Sequence, residues 1–273
     1  MIENLRERIH KANIDLHRIE AKYYEFIHSE IYNKREQRRI KSTLKRADKI
    51  IRDNQKKVLD FGAGTGNLTG KLLHMGYEVT AIDISAEMCK LLKNKYRHYL
   101  KNKKLRAINS KIEDVSFNKE EFDLITCYSV LHHLPDYVDV IRKLTFFLKK
   151  GGVMYLDHEE SPFFWIEPQN RARIEKKVSY LYFRSNGLLN LLTNSIIGIN
   201  TPYISAEARL ADYWDKKDHH LDYSKIEQIF EEEKFSYFTQ ENYHLHITWI
   251  ANPFFYLYRY TCKPDMSLWL AKK

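Results

Sequence analysis

The chain has no uninterrupted apolar stretch of about 18 residues, which excludes a transmembrane helix. Its opening residues, MIENLRERIH, hold no apolar core of signal-peptide length, so a cytoplasmic location is expected. With 9 glycines and 6 prolines, it cannot be a collagen-like or linker-dominated protein. Cysteine is scarce and scattered. Cys89, Cys127 and Cys262 form no CxxC pair, which argues against a disulfide framework and a structural zinc site. No metal is expected.

What remains is ample for a folded enzyme-sized domain: 273 residues, 44% hydrophobic, 30% charged and 14% aromatic. A chain of this length suits one large α/β domain, or a smaller one carrying a sizeable insertion. The net charge of +9 is uneven, because residues 34–57 hold eleven Lys/Arg against three acids and residues 90–106 hold eight against none. Such stretches can attract phosphate or nucleic acid. They can equally be solvated helix faces, and no RNA-recognition signature or zinc knuckle accompanies them.

Residues 1–52 read as helices. Ile9, Ala12, Leu16, Ile19, Tyr23, Phe26 and Ile27 recur at spacings of three and four and predict one apolar stripe. A second helix is expected from about Asn33 to Arg52, buried along Ile40, Leu44, Ala47 and Ile51. From Lys57 the pattern becomes alternating strand and helix. Strands are expected at 57–61, 77–82, 105–108, 122–127 and 153–157, with helices at 68–75, 86–100 and 138–148 between them. Gly76 sits where a helix ends, and Ser85 where one begins. Five alternations predict a doubly wound parallel sheet. The rhythm stops after Glu160. Residues 161–222 read as an inserted cap with helices near 170–181 and 188–192, and residues 223–273 as a last helix and two strands. The expected organisation is thus a helical lid (1–52), a core (53–160), a cap (161–222) and a segment completing the core (223–273).

The most informative segment is Asp60-Phe61-Gly62-Ala63-Gly64-Thr65-Gly66, where the first strand turns into its helix. Glycines there permit a tight turn and a close approach of backbone to ligand. Asp83 ends the next strand, where a carboxylate can accept both hydroxyls of a ribose. The GxGxG spacing differs from the GxGxxG of dinucleotide sites, where a pyrophosphate rests on the helix N-terminus. Asp60, two positions before the first glycine, would repel a pyrophosphate and suits an ammonium group. A ribose, an ammonium and no phosphate together describe S-adenosylmethionine.

On these residues, 56–157 resemble a class I S-adenosylmethionine-dependent methyltransferase. Ala81-Ile82-Asp83-Ile84-Ser85, Phe122-Asp123-Leu124-Ile125, Ser129-Val130-Leu131-His132-His133-Leu134 and Leu148-Lys149-Lys150-Gly151-Gly152 are similar to its further motifs. The resemblance implies an α/β fold, a doubly wound seven-stranded Rossmann-like sheet with a reversed final hairpin, and methyl transfer to a nucleophile. It departs in one place, since Lys111 stands where an Asp is expected beside the adenine amine. Ser110, the backbone near Ile112 or Glu113 could serve instead. The expected cofactor-binding set is Asp60, Gly62, Gly64, Gly66, Asp83, Ile84, Ile112, Glu113, Cys127 and Tyr24. Tyr24 enters because the N-terminal helices of related enzymes often close over the cofactor, and Tyr23 and His28 belong to the same segment.

Methyl transfer to a hydroxyl or acidic carbon needs a base, and histidine serves best near neutral pH. His132 and His133 follow the fourth strand and His158 ends the fifth, at the rim where open α/β sheets bind ligands. These three are the catalytic candidates, although each can also be a packed loop histidine; His219-His220 lie farther off, at the cap edge. Pro162-Phe163-Phe164-Trp165, Tyr180–Phe183 and the Trp249–Tyr260 cluster supply aromatics for an apolar acceptor pocket or for the cap's own core. Arg171, Arg173, Arg184 and Arg209 could fork onto an acceptor phosphate or carboxylate. The expected function is methylation of a small molecule of a biosynthetic pathway. An RNA-modifying methyltransferase and an inactive partner subunit keeping the cofactor fold are its rivals.

Overall fold

The computed structural model describes residues 2–51, 56–166, 210–214, 220–245 and 263–273. The two cap helices, the Trp249–Tyr260 cluster, the four cap arginines, His219 and Cys262 lie outside them. Seven strands, β1 (Lys57–Phe61), β2 (Glu78–Asp83), β3 (Leu105–Asn109), β4 (Phe122–Tyr128), β5 (Leu148–Glu160), β6 (Tyr237–Tyr243) and β7 (Met266–Lys272), form one sheet of order 3-2-1-4-5-7-6. The first five are parallel, and β7 runs antiparallel between β5 and β6. The order reverses between β1 and β4, the switch point at which open α/β sheets hold ligands beyond the strand C-termini. The doubly wound sheet and its reversed final hairpin stand as expected.

Helices cover both faces. α1 (Ile2–Glu20), α2 (Tyr24–Ile27), α3 (Ser29–Tyr32) and α4 (Lys34–Ile50) precede the sheet, and α5 (Asn67–His74), α6 (Ala86–Lys95), α7 (Arg97–Lys101) and α8 (Tyr137–Phe147) link its strands. α9 (Pro162–Ile166) follows β5, and α10 (Tyr223–Glu232) leads into β6. One core layer packs Ile141, Leu144 and Phe230 against Ile125, Leu156 and Trp269. The other packs Ile40, Leu44, Leu72 and Leu92 against Val58, Leu124 and Tyr155. β4 is buried along its whole length, as a central parallel strand covered on both faces should be.

Three local expectations are corrected. The N-terminal stripe holds only through Ile9 and Ala12, for Ile19, Phe26 and Ile27 are exposed. α1 ends at Glu20 and a 3-10 turn over Ala21–Tyr23 shifts the helical phase. The helix expected over 86–100 breaks at Tyr96. There the ring lies against Gly66 and Gly70, and its hydroxyl donates to the Gly66 carbonyl at 3.0 Å. β5 starts at Leu148, earlier than the glycine pair suggested, with Gly151 at φ +77° inside it.

Candidate active site

The glycine loop is clamped to the end of β2. Gly62 and Ala63 donate to the Ile82 carbonyl at 2.9 Å, and Gly64 N donates to Asp83 Oδ2 at 2.7 Å. Asp83 Oδ1 accepts from Ser85 N at 2.8 Å, so the carboxylate braces the loop and still keeps lone pairs for a ligand. Burial raises its pKa, against the pull of His17 and of the two amides. Asp60 is 2% exposed and accepts from the Thr69 and Thr126 hydroxyls at 2.5 and 2.8 Å. Burial moves it up to about 6, with the two hydroxyls opposing. A cation beside it would restore the charged form.

Two adjoining cavities open on this loop. The larger, about 750 Å³ and partly open to solvent, is lined by Gly62, Gly64, Asp83, Ile84, Ile112 and Glu113 on the sheet side. Helix α1, Tyr24 and His133 form its far wall. The smaller, about 350 Å³, holds Asp60, Thr65, Asn67 and Tyr32. Tyr24, Gly62, Gly64, Tyr128 and Ser129 border both. A Cβ placed on Gly64 would meet nothing within 4 Å, whereas one on Gly62 would strike Val130 at 2.2 Å. The backbone therefore leaves open space only at the middle glycine, as close approach of a ligand requires.

Two expected cofactor residues stand behind the cavities. Cys127 is wholly buried in the core, and burial pushes its thiol pKa well above the usual value. Side chains alternate along a strand, so the next residue, Tyr128, reaches the ligand space instead. Gly66, at φ +89°, caps the N-terminus of α5 and packs under Tyr96. Glu113 lines the larger cavity with its carboxylate held by Arg6 at 2.6 Å.

Tyr24 is placed by its neighbours. The His28 ring lies 4.3 Å from it, and His28 in turn meets Glu30 at 3.2 Å and Glu20 at 3.5 Å. Burial alone would lower the His28 pKa, but these carboxylates raise it to about 9. The segment docks on the core through Tyr32 and Thr65, whose hydroxyls lie 3.0 Å apart, and through the Lys95–Glu25 ion pair.

The three histidines have different surroundings. Only His133 lines the larger cavity. Its Nδ1 sits 2.9 Å from the Ala211 carbonyl and so carries the proton, leaving Nε2 with the lone pair. Burial, with His132 and His17 nearby, drives its pKa well below 6.5. His132 Nδ1 meets Glu159 Oε2 at 2.8 Å. Glu159, fully buried, also accepts the backbone amides of Val130 and Leu131 at 3.0 and 2.9 Å. The sequence places Glu159 beside His158 at the same rim without a role; the structure makes it the partner of His132. His132, His133 and Asp212 each bring one ligand atom within 4.8 Å of the others, but one nitrogen of each ring is already engaged.

His158 lies outside both cavities. It is 7% exposed and adopts φ +65° at a register shift between β5 and β7, and such strain persists only where surroundings over-determine it. Its ring stacks on Tyr128, and Nδ1 lies 3.0 and 3.3 Å from the Tyr128 and Tyr243 hydroxyls. Those hydroxyls donate to Glu36 at 2.9 Å and Asp157 at 3.0 Å, so His158 Nδ1 must be the donor to them and Nε2 the free acceptor. Arg39 ties the group together, reaching Glu36, Asp157 at 2.8 Å and Tyr243 at 3.0 Å. Burial lowers the His158 pKa to about 4. A base depressed in the folded state gives stability present above pH 6.5 and lost as pH falls toward 4. We expect His158→Gln to flatten the loss of Tm between pH 7 and pH 4.5, read by thermal melts; an unchanged slope would show that other groups set it.

The glycine loop, braced by a carboxylate, opens at the switch point of the 3-2-1-4-5-7-6 sheet, where open α/β sheets hold their ligands. Residues 59–156 match the family described as methyltransferase domain, and this core is similar to class I S-adenosylmethionine-dependent methyltransferase domains. Ubiquinone biosynthesis O-methyltransferase of Haemophilus ducreyi is 33% identical over 107 residues, covering 37% of this chain and 44% of that protein. The same-named protein of Vibrio vulnificus is 34% identical over 119 residues, 43% and 48% of the two chains. The similarity thus spans less than half the length of these relatives. Among solved structures, the plantazolicin methyltransferase BpumL shares the fold over 100% of this chain and 97% of its own, with TM-score 0.56 and 15% identity. A SAM-dependent methyltransferase from Archaeoglobus fulgidus does so over 92% and 100%, with TM-score 0.55 and 14% identity. No helix among the described residues is long and apolar enough to cross a membrane.

Proposed function

We propose that this chain transfers a methyl group from S-adenosylmethionine to a small-molecule intermediate of a biosynthetic pathway, in the cytoplasm. The observation that carries this reading is the open space at Gly64 between Asp83 and Asp60. The residues fit the cofactor: Asp83 keeps lone pairs for a ribose, and Asp60, Thr65 and Asn67 surround the smaller cavity, where an amino-acid group would fit. When bound, the cofactor supplies a methyl group on a positively charged sulfur. Tyr24 and α1 wall the larger cavity on one side. The aromatic insertion at 161–222 is the expected wall of the acceptor site. The names of the relatives favour a hydroxyl as the accepting atom.

A hydroxyl acceptor loses its proton as its oxygen attacks the methyl. In this reading His133 Nε2 takes it, supported by the lone pair which that nitrogen keeps at neutral pH; His132, held by Glu159, assists, and His158 stands farther back. Alignment of acceptor and methyl contributes most, up to about 7–11 kcal/mol in favourable cases. The test is release of S-adenosylhomocysteine from labelled cofactor, with hydroxylated aromatic molecules and transfer RNA as rival acceptors. Turnover on a small phenol supports the reading, and turnover on RNA alone overturns it. We expect His133→Ala to lower kcat by about 10²–10⁴-fold with cofactor affinity unchanged, measured by the same assay and by titration calorimetry. Unchanged kcat would remove His133 from the chemistry.

A further inference from the structure

Helix α1 turns a polar edge toward the larger cavity. His10, Asn13 and His17 all line it, although the surrounding stripe is apolar. Two of these side chains carry buried atoms with no partner, His10 Nδ1 and Asn13 Oδ1, and each residue is only 5% exposed. The orientation of the Asn13 amide is fixed by carbonyls. Its Nδ2 donates to Ile9 O at 3.0 Å and approaches His133 O and Ala211 O at 3.5 Å, which leaves Oδ1 as the orphan acceptor. Nearly all buried polar groups in folded proteins are paired, so orphan atoms on two residues that line one cavity point to a ligand there.

On the opposite wall, the charged side chains that line the cavity beside Ser110 and Ile112 are already engaged. Position 111, where the resemblance leads one to expect an Asp, is a lysine, and its ammonium is drawn to Glu7 of α1 at 2.8 Å. Glu113 is held by Arg6 of the same helix. Helix α1 thus engages Lys111 and Glu113, the two charged side chains of this loop that line the cavity, and His10 lies within electrostatic reach of both. We propose that α1 reads the adenine edge of the cofactor, with Asn13 Oδ1 accepting from the exocyclic amine and His10 Nδ1 donating to a neighbouring ring nitrogen. An asparagine free on both atoms can read adenine by itself; here Nδ2 is occupied, and His10 supplies the second contact. This inference rests on the cofactor proposed above.

The test compares S-adenosylhomocysteine with S-inosylhomocysteine, which carries a ring carbonyl in place of the amine, by titration calorimetry. The wild-type chain is expected to prefer the adenosyl compound by about tenfold or more, the scale of one well-placed hydrogen bond. Asn13→Ala should weaken the adenosyl compound by about that factor, leave the inosyl compound nearly unchanged, and bring the two within about twofold. His10→Phe, which keeps the ring and removes its polar atoms, should narrow the gap in the same direction and serves where Asn13→Ala fails to fold. Full discrimination in both variants would place the reading of adenine elsewhere. Equal weakening of both compounds would reduce the residues to a packing role, and that too overturns the proposal. Binding of neither compound by the wild-type chain would instead remove the cofactor reading itself.

Discussion

Gly64→Ala is expected to weaken binding of S-adenosylhomocysteine by about 30-fold or more while the protein stays folded. The added methyl enters open space in the folded chain, because nothing lies within 4 Å of it. It would therefore project into the region that both cavities share and meet the ligand instead of the protein. An extra methyl forced into a filled contact costs about 1–3 kcal/mol, and about 2 kcal/mol is roughly 30-fold in affinity. Folding pays a smaller share, about 1–2 kcal/mol for an alanine held at φ +52°. Gly62→Ala makes the opposite comparison. Its methyl would overlap Val130 at 2.2 Å, so thermal stability should fall whether or not ligand is present. The check is calorimetric affinity beside the melting temperature of each variant. Near-normal affinity in a folded Gly64→Ala protein would mean that the nucleoside does not lie against this turn.

The sheet was legible because its signals are local. Val58-Leu59 before the glycines, Ala81-Ile82 before Asp83 and the apolar run 122–127 each declare a buried strand within a few residues, and the crossover rule arranges them. The N-terminal segment was legible only as helix. Its phase shift at Ala21–Tyr23 depends on docking against the glycine loop, through Tyr32 and Thr65, and no periodicity within the segment carries that information. His10 and Asn13 were hidden for a related reason: they flank the apolar stripe and read as solvent-facing until the cavity beneath them is known. Cys127 and Tyr128 show the sharpest limit, because a one-residue shift at a strand end moves a side chain from the cavity to the core. One signal was available and unused. Glu36 lies one turn before Ile40 on the buried edge of α4 and is 2% exposed. A carboxylate on an otherwise apolar stripe calls for a partner, and its partners are far along the chain.

Those partners make Arg39→Ala the most damaging single change expected outside the ligand site. Arg39 faces two carboxylates that are nearly or wholly inaccessible, Glu36 at 2% and Asp157 at 0% exposure. It also stacks on Tyr243, with its guanidinium 3.7 Å from the ring centroid. Removing the cation leaves both carboxylates buried without compensation, a loss of about 3–5 kcal/mol in comparable buried pairs. The pH dependence separates this cause from simple loss of packing. Burial already raises the Asp157 pKa above its ordinary value, and Arg39 is the main influence holding it down. Without Arg39 the folded-state pKa rises further, so the folded variant takes up a proton more readily than the unfolded chain. A carboxyl raised in this way contributes stability at low pH and loses it as pH rises through the folded pKa. The stability gap between wild type and Arg39→Ala should therefore be widest near pH 7–8 and narrow toward pH 5, read from denaturant midpoints at each pH. The same comparison on Arg39→Met, which restores part of the apolar stem without the charge, should keep the pH trend while recovering some of the packing. A gap independent of pH in both variants would show that the guanidinium acts there as a space-filling group and that the hydroxyls of Tyr128, which donates to Glu36, and of Tyr155 and Tyr243, which donate to Asp157, satisfy the buried carboxylates alone.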